Sequence, residues 1–149
     1  REVATTGRLM CTRNCIHFGG NCKTFPGAAG ATMGKLTTHV LDTMHGCPAA
    51  GMAVRLYRLD GDAPAPLVSL TLNADGRADA PLLEGAALAA GRYQLVFEVA
   101  AYFRQRGVVL PEPPFLDEVP LAFGIADAGA HYHVPLLASP WAYSTYRGS

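Results

Sequence analysis

Apolar and polar residues alternate at every second position in three segments of this chain, and this alternation limits the folds open to it. Segments 54–57, 68–72 and 93–99 each place their apolar side chains on one side of an extended strand. A glycine after an aspartate favours a hairpin turn, because glycine adopts positive φ without penalty. Such turn sequences lie between the segments: Asp60-Gly61-Asp62, Asn73-Ala74-Asp75-Gly76 and Ala90-Gly91. The pattern predicts short strands, each with one buried face.

The rest of the sequence adds further extended segments and one short helical candidate. Residues 119–125, 130–138 and 142–147 are predicted as strands, and residues 100–106 have room for one or two helical turns. Three prolines within 111–114 exclude regular structure there. About seven or eight strands at short spacing indicate an all-β fold, a two-sheet antiparallel sandwich.

Length and composition fit one folded domain. At 149 residues the chain has room for one domain of ordinary size, and its 50% hydrophobic residues can supply a core. The formal net charge is +0, so neither nucleic acid nor an anionic membrane is an expected partner. Apolar runs are interrupted well before the roughly 20 residues that a membrane-spanning helix needs. Residues 1–32 show no sustained period, so we expect a disordered extension before a folded domain at 33–149.

The four cysteines do not form a recognisable framework. Cys11, Cys15 and Cys22 lie in the expected extension, and Cys47 lies in the folded domain. The spacing lacks paired CxxC knuckles, which favours free thiols over a structural zinc site formed with His17. Cys47 has no activating partner nearby in sequence, so we interpret it as a small packed residue rather than a nucleophile.

Histidines on the predicted strands are the best candidates for chemistry. His131 and His133 are two residues apart and share one strand face, and His39 lies on another strand. Imidazoles so placed can form a metal half-site, act as acid and base near neutral pH, or be ordinary surface residues. Asp42, Asp127 and His39 are available as a third metal ligand, but no spacing selects one. Phosphate-binding glycine loops and a G-x-S-x-G elbow are absent from the sequence.

Four separated segments of the sequence form a recognisable set. They are Leu36-Thr37-Thr38-His39-Val40-Leu41-Asp42 with Gly46-Cys47-Pro48-Ala49, then Asn73-Ala74-Asp75-Gly76-Arg77, His131-Tyr132-His133-Val134-Pro135-Leu136-Leu137 and Tyr146-Arg147-Gly148-Ser149. Together they resemble the 5-hydroxyisourate hydrolase branch of the transthyretin-related family. The resemblance runs from Met33 to Ser149, and the final Tyr-Arg-Gly-Ser is its most specific mark.

The resemblance implies a fold, an assembly and a reaction. The fold would be a transthyretin-like two-sheet sandwich with one short helix, here within 100–106. Four chains would form a homotetramer, a dimer of dimers, with active sites in the channel between the dimers. The reaction would be the hydrolysis of 5-hydroxyisourate to 2-oxo-4-hydroxy-4-carboxy-5-ureidoimidazoline in urate degradation. Neither a metal nor an organic cofactor would be needed.

The resemblance also implies which side chains act. His39, Arg77, His133 and Ser149 would be catalytic, and His39, Arg77 and Tyr146 would bind substrate. Arg77 would hold the substrate and stabilise oxyanion charge. Either His39 or His133 would be the general base, and the sequence does not choose between them. Ser149, through its hydroxyl or the terminal carboxylate, would hold a histidine in its working tautomer.

Two other functions stay open at this point. A transthyretin-like carrier could bind a small aromatic ligand without catalysis, since one fold hosts unrelated functions. A secreted structural domain is less favoured, because only Cys47 lies in the predicted sandwich and disulfides would be expected. The cytosol is the default compartment, with the periplasm and the peroxisome as alternatives, since neither a signal peptide nor a Ser-Lys-Leu ending is seen.

Overall fold

The computed structural model of the protein describes residues 33–61 and 65–148. The expected extension at 1–32, with three of the four cysteines, lies outside these residues, and so does Ser149. Within the described ranges the chain forms nine strands and one α-helix: β1 (Lys35–Asp42), β2 (Cys47–Pro48), β3 (Ala53–Arg58), β4 (Val68–Thr71), β5 (Leu83–Glu84), β6 (Gly91–Glu98), α1 (Val99–Gln105), β7 (Glu118–Ile125), β8 (His131–Ala138) and β9 (Tyr143–Thr145).

The strands form two stacked sheets, so the predicted all-β sandwich is confirmed. Sheet one has the order β2-β1-β8-β9, with β5 also paired to β1, and sheet two has the order β4-β3-β6-β7. The pairing is antiparallel as expected except at one place, where β1 and β8 run parallel. A parallel pair needs a long crossover connection. The whole of sheet two lies between β1 and β8 in the sequence and provides that crossover.

The core lies between the sheets and follows the alternation read from the sequence. Every second residue of β1 is buried, Val54 and Leu56 are buried in β3, and β6 buries almost all of its second half. The helix α1 covers one end of the core with Tyr102 and Phe103, close to the predicted position at 100–106. Burying a side chain of this size stabilises the folded state by about 1.5–3 kcal/mol. In the described part of the chain, no helix has the length and apolar character needed to cross a membrane.

One buried carboxylate ties β1 to α1. Asp42 is fully buried and accepts hydrogen bonds from the Tyr102 hydroxyl at 2.9 Å and from the backbone amides of Met44 and His45 at 3.0 Å. Its other contact is His45 Nδ1 at 2.6 Å. Burial alone would raise the pKa of Asp42, but the hydrogen bonds from His45 and Tyr102 outweigh it and lower the pKa. The same burial, together with the bond to Asp42, raises the pKa of Tyr102.

The Asn73–Gly76 turn forms as predicted, but it does not join two neighbouring strands of one sheet. The Gly76 amide donates to the Asn73 carbonyl at 2.9 Å, and Gly76 has a φ of 67°, which suits glycine. After the turn, Arg77 pairs with His39 on β1 rather than with β4. The turn therefore carries the chain from sheet two to sheet one and delivers Arg77 to the edge of β1.

Candidate functional site

The outer face of sheet one carries the predicted histidines. In the parallel register of β1 and β8, Thr37 lies opposite His133 and Lys35 lies opposite His131. These positions alternate with buried ones, so their side chains point away from the core. His39 lies two residues after Thr37 on the same face of β1. One local rule, the two-residue repeat of a strand, thus places three imidazoles on one surface.

A cavity of about 400 Å³ opens on this face. Its lining combines basic, acidic and hydroxyl groups. It includes Thr37, Arg77, Asp79, His131 and His133. The cavity suits a small polar ligand in volume and in hydrogen-bonding capacity.

Arg77 reaches the cavity because the turn before it packs directly on β1. The Val40 amide donates to the Gly76 carbonyl at 2.9 Å, and a Cβ at Gly76 would lie 2.5 Å from the Val40 carbonyl oxygen. The side-chain oxygen of Asn73 accepts from the amides of Asp75 at 3.0 Å and Arg77 at 3.1 Å. These two hydrogen bonds to the Asn73 side chain therefore fix the backbone that carries the Arg77 guanidinium.

The surroundings of His39 and His133 lower the pKa of both and so favour their neutral imidazoles. Partial burial lowers the pKa of His133, and the positive charge of Arg77 and the neighbouring imidazoles of His39 and His131 lower it further. Partial burial and Arg77 also lower the pKa of His39, while a hydrogen bond to the Asp75 backbone and the Asp75 carboxylate act in the opposite direction. Neutral imidazoles can accept a proton, as a general base must.

The Thr37 hydroxyl lies between two imidazoles. Its Oγ1 is 2.9 Å from Nδ1 of His133 and 3.3 Å from Nε2 of His131. The Tyr132 carbonyl oxygen is 3.5 Å away. The sequence reading did not single out Thr37, although its position two residues before His39 puts it on the same strand face.

The end of the chain packs against His133. Gly148 pairs with His133, and its amide donates to the His133 carbonyl at 2.9 Å. A Cβ at Gly148 would lie 2.7 Å from Cδ2 of the His133 ring. Arg147 stacks on the Tyr132 ring, with its Cζ 4.9 Å from the ring centre. The chain end is therefore docked on the sandwich as far as Gly148.

The predicted site residues fall into three groups. His39, Arg77 and His133 come together on the outer face of sheet one. Tyr146 instead lines a second, more apolar cavity of about 490 Å³, between β7 and the end of the chain. Ser149 lies outside the described residues.

The structure also describes some of the residues that the sequence analysis considered as metal ligands or as free thiols. In 33–61 and 65–148, no group of three or more His, Cys, Asp or Glu side chains is placed to hold a metal ion. Cys47 is a half-buried free thiol on β2. The possible zinc ligands Cys11, Cys15, Cys22 and His17 lie outside the described residues.

Comparison with known proteins identifies the family. The model of the HIUase/Transthyretin family matches residues 36–148, which is about three quarters of the chain. The chain belongs to this family. The match covers β1 with His39, the segment after the turn with Arg77 and β8 with His133, and it ends at Gly148. The family resemblance read from the sequence is therefore confirmed.

Three similar proteins show which branches of the family lie near this chain. The 5-hydroxyisourate hydrolase 2 of Rhizobium meliloti is 61% identical over 116 residues, covering 78% of this chain and 97% of that protein. The solved 5-hydroxyisourate hydrolase of Klebsiella pneumoniae is 37% identical, with a TM-score of 0.65 over 78% of this chain and 99% of that one. Sea bream transthyretin, solved in complex with thyroxine, is 25% identical, with a TM-score of 0.68 over 76% of this chain and 94% of that one.

Proposed function

We infer that this chain hydrolyses 5-hydroxyisourate and that the outer face of sheet one is its active site. The observation that carries the inference is the meeting of two imidazoles and a guanidinium, His39, His133 and Arg77, on one face of sheet one, where His133 and Arg77 line a polar cavity and His39 pairs with Arg77 beside it. The relative that is 61% identical is a 5-hydroxyisourate hydrolase and aligns over 97% of its length. The side chains of the site and the similarity to this relative support the same reaction.

The reaction needs a water molecule to lose a proton as its oxygen attacks a ring carbonyl. A neutral imidazole of His39 or His133 takes that proton, and the oxygen forms a bond to the carbonyl carbon. The adjacent carbon–nitrogen bond of the six-membered ring then breaks, and the leaving nitrogen takes a proton from the imidazolium. Arg77 binds the oxygen-rich ring through paired hydrogen bonds and stabilises the negative charge that develops on the carbonyl oxygen. In this scheme His39 or His133 carries the transferred proton and Arg77 stabilises the negative charge, and neither step uses a metal or cofactor.

The end of the chain has a supporting role in this proposal. Ser149 follows Gly148 directly, and the Gly148 amide bonds the backbone of His133. A Ser149 hydroxyl or terminal carboxylate near the imidazole would help to fix its orientation. Tyr146 lines the second cavity rather than the polar one, and its contact with substrate remains part of this proposal. We propose a homotetramer, in which a second chain completes the surroundings of the site, and the cytosol as its compartment.

Freshly prepared 5-hydroxyisourate loses its ultraviolet absorbance on hydrolysis, and this decay tests the proposal. We expect the protein to accelerate the decay over buffer and each of His39→Ala, Arg77→Ala and His133→Ala to lower kcat/KM by about 100-fold or more. Arg92→Ala is a matched control, since Arg92 is exposed on sheet two. The proposal is overturned if the wild-type protein leaves the decay unchanged. It is also overturned if all three variants retain normal rates.

A carrier without catalysis is the second candidate. Similarity to sea bream transthyretin, solved with thyroxine, favours it at the level of the fold. A carrier for an aromatic ligand has no need of two neutral imidazoles facing a guanidinium. Saturable ligand binding with no change in the ultraviolet decay would favour the carrier.

A further inference from the structure

The contact between Thr37 and His133 bears on which nitrogen of the His133 ring carries the proton, as well as on the position of the ring. Nδ1 of His133 lies 2.9 Å from Thr37 Oγ1, which is the distance of a well-formed hydrogen bond. Because Nδ1 is occupied in this way, Nε2 is the ring nitrogen left for water or substrate. A neutral imidazole carries one proton, so the direction of the hydrogen bond at Nδ1 decides whether Nε2 can accept a proton.

The protons and acceptors around Thr37 allow His133 to be the donor in this bond. The Thr37 hydroxyl has one proton to donate and lone pairs with which to accept. Two other acceptors lie within reach of that proton, Nε2 of His131 at 3.3 Å and the carbonyl oxygen of Tyr132 at 3.5 Å. The carbonyl can only accept, whereas His133 Nδ1 can donate. The hydroxyl can therefore give its proton to one of these neighbours while it accepts the proton of His133 Nδ1.

We propose that Thr37 is a positioning residue, whose hydroxyl accepts a hydrogen bond from Nδ1–H of His133 and so leaves Nε2 as the unprotonated nitrogen that takes the proton from water. This inference rests on the proposed hydrolase function and chooses His133 over His39 as the general base. It also gives His131 a role, as an acceptor for the Thr37 proton.

The strand geometry makes this contact a fixed one. Thr37 and His133 are direct partners in the parallel register of β1 and β8, so the two strands hold their Cα atoms next to each other. Threonine is stiff at χ1 because its Cβ is branched. On the other side of the imidazole, the Gly148 backbone approaches the Cδ2 edge of the ring. The ring is therefore held between a hydroxyl and a backbone segment.

The tautomer can be observed directly by NMR of protein labelled with ¹⁵N-histidine, assigned with His131→Gln and His133→Gln variants. We expect a neutral His133 in the wild-type protein to show a protonated Nδ1 and an unprotonated Nε2. A wild-type spectrum with the proton on Nε2 overturns the proposal without any reference to activity. Thr37→Val removes the hydroxyl and keeps the branched shape, and we expect it to change the tautomer populations of His133.

Kinetics provide the second readout. We expect Thr37→Val to lower kcat by about 10–100-fold, the usual cost of losing a partner that orients a functional histidine, with KM changed by less than about 3-fold. Thr37→Ser, which keeps the hydroxyl, should restore both kcat and the wild-type tautomer. Thr43→Val is the matched control, because the Thr43 hydroxyl also bonds a carbonyl, that of Ala138, beyond the other end of β1.

The outcomes separate failure of this inference from failure of the proposed function. If the wild-type protein does not hydrolyse 5-hydroxyisourate, the function fails, and the role of Thr37 as part of it fails as well. If the wild-type protein is active but Thr37→Val keeps its kcat or its His133 tautomer, only the Thr37 proposal fails. A loss in Thr37→Ser as large as in Thr37→Val would also overturn it, because the hydroxyl would then not be the cause.

Discussion

Replacing Gly148 by alanine tests whether the end of the chain controls the active-site imidazole. Gly148 has no room for a side chain, since an added Cβ would lie 2.7 Å from Cδ2, 3.1 Å from Cβ and 3.2 Å from Cγ of His133. Ordinary carbon–carbon contacts lie at about 3.5–4.0 Å. The alanine methyl and the imidazole therefore have to separate by roughly 1 Å, either by a shift of the ring or by detachment of the chain end.

The expected effects on activity and on stability are of different size. A misplacement of about 1 Å in a reacting group can cost on the order of 100-fold in rate, so kcat should fall by about that factor. Detachment of the chain end loses the hydrogen bond from the Gly148 amide to the His133 carbonyl, worth about 0.5–1.5 kcal/mol. For a domain of this size, that loss lowers Tm by only a few degrees, about 2–8 °C.

Two measurements check this prediction, the decay of 5-hydroxyisourate for kcat and thermal unfolding for Tm. Gly124→Ala is the control, because a Cβ at Gly124 has nothing within 4 Å and should leave both values unchanged. A Gly148→Ala variant with wild-type kcat would refute the reasoning that the chain end positions His133. A fall in Tm much larger than the stated range would show that the effect on rate is a loss of fold instead.

Three further predictions concern charge, the buried carboxylate and the chain end. The acidic limb of kcat/KM against pH should lie below pH 6.5, the ordinary pKa of histidine, because burial and Arg77 lower the pKa of both site imidazoles. Arg77→Gln should move this limb to higher pH in whatever activity is left, and an unmoved limb would contradict the cause given. Asp42→Ala should destabilise the fold by about 3 kcal/mol in urea unfolding, because it leaves the buried Tyr102 hydroxyl without its acceptor; a loss below about 1 kcal/mol would contradict this. Deleting residues 147–149 should abolish most activity in the ultraviolet assay while circular dichroism still reports a folded sandwich, and an active deletion variant would rule out a role for the chain end.

Much of the fold could be predicted because local patterns and tertiary structure agree. The two-residue alternation at 54–57 and 93–99 became β3 and β6, and the helical segment became α1. The parallel pairing of β1 with β8 could not be predicted from pattern alone. Alternation shows which face of a strand is buried, but not which of several distant strands lies beside it.

The candidate site shows the same division. The pair His131 and His133 follows from the repeat of a single strand, and the structure places both on the cavity. His39 was a candidate from its predicted strand, but only the family resemblance joined it to the pair and brought in Arg77, which the structure pairs with His39 across the edge of β1. The hydrogen bond between Thr37 and His133 depends on the register of two strands, with the two residues 96 positions apart in sequence, so no local signal could reveal it.

The parallel pairing of β1 and β8 has a consequence for how the site can be lost. A slip of one residue would turn the apolar residues of β1 outward and would be strongly opposed. A slip of two residues keeps every side chain on its own face, so the hydrophobic core would hardly oppose it. Thr37 would then face His131 or Pro135 in place of His133.

Contacts that fix the position of β1 along its length relative to β8 therefore have to oppose the two-residue slip. The described residues show two such contacts, which we call anchors. The buried Thr38 hydroxyl donates to the Val134 carbonyl at 2.8 Å. At the start of β1, Gly34 allows so close an approach of the neighbouring loop that an added Cβ would lie 2.7 Å from the Ala130 carbonyl oxygen. Damage to either anchor could yield a sandwich that is compact, heat-stable and inert, a failure that stability screens would overlook.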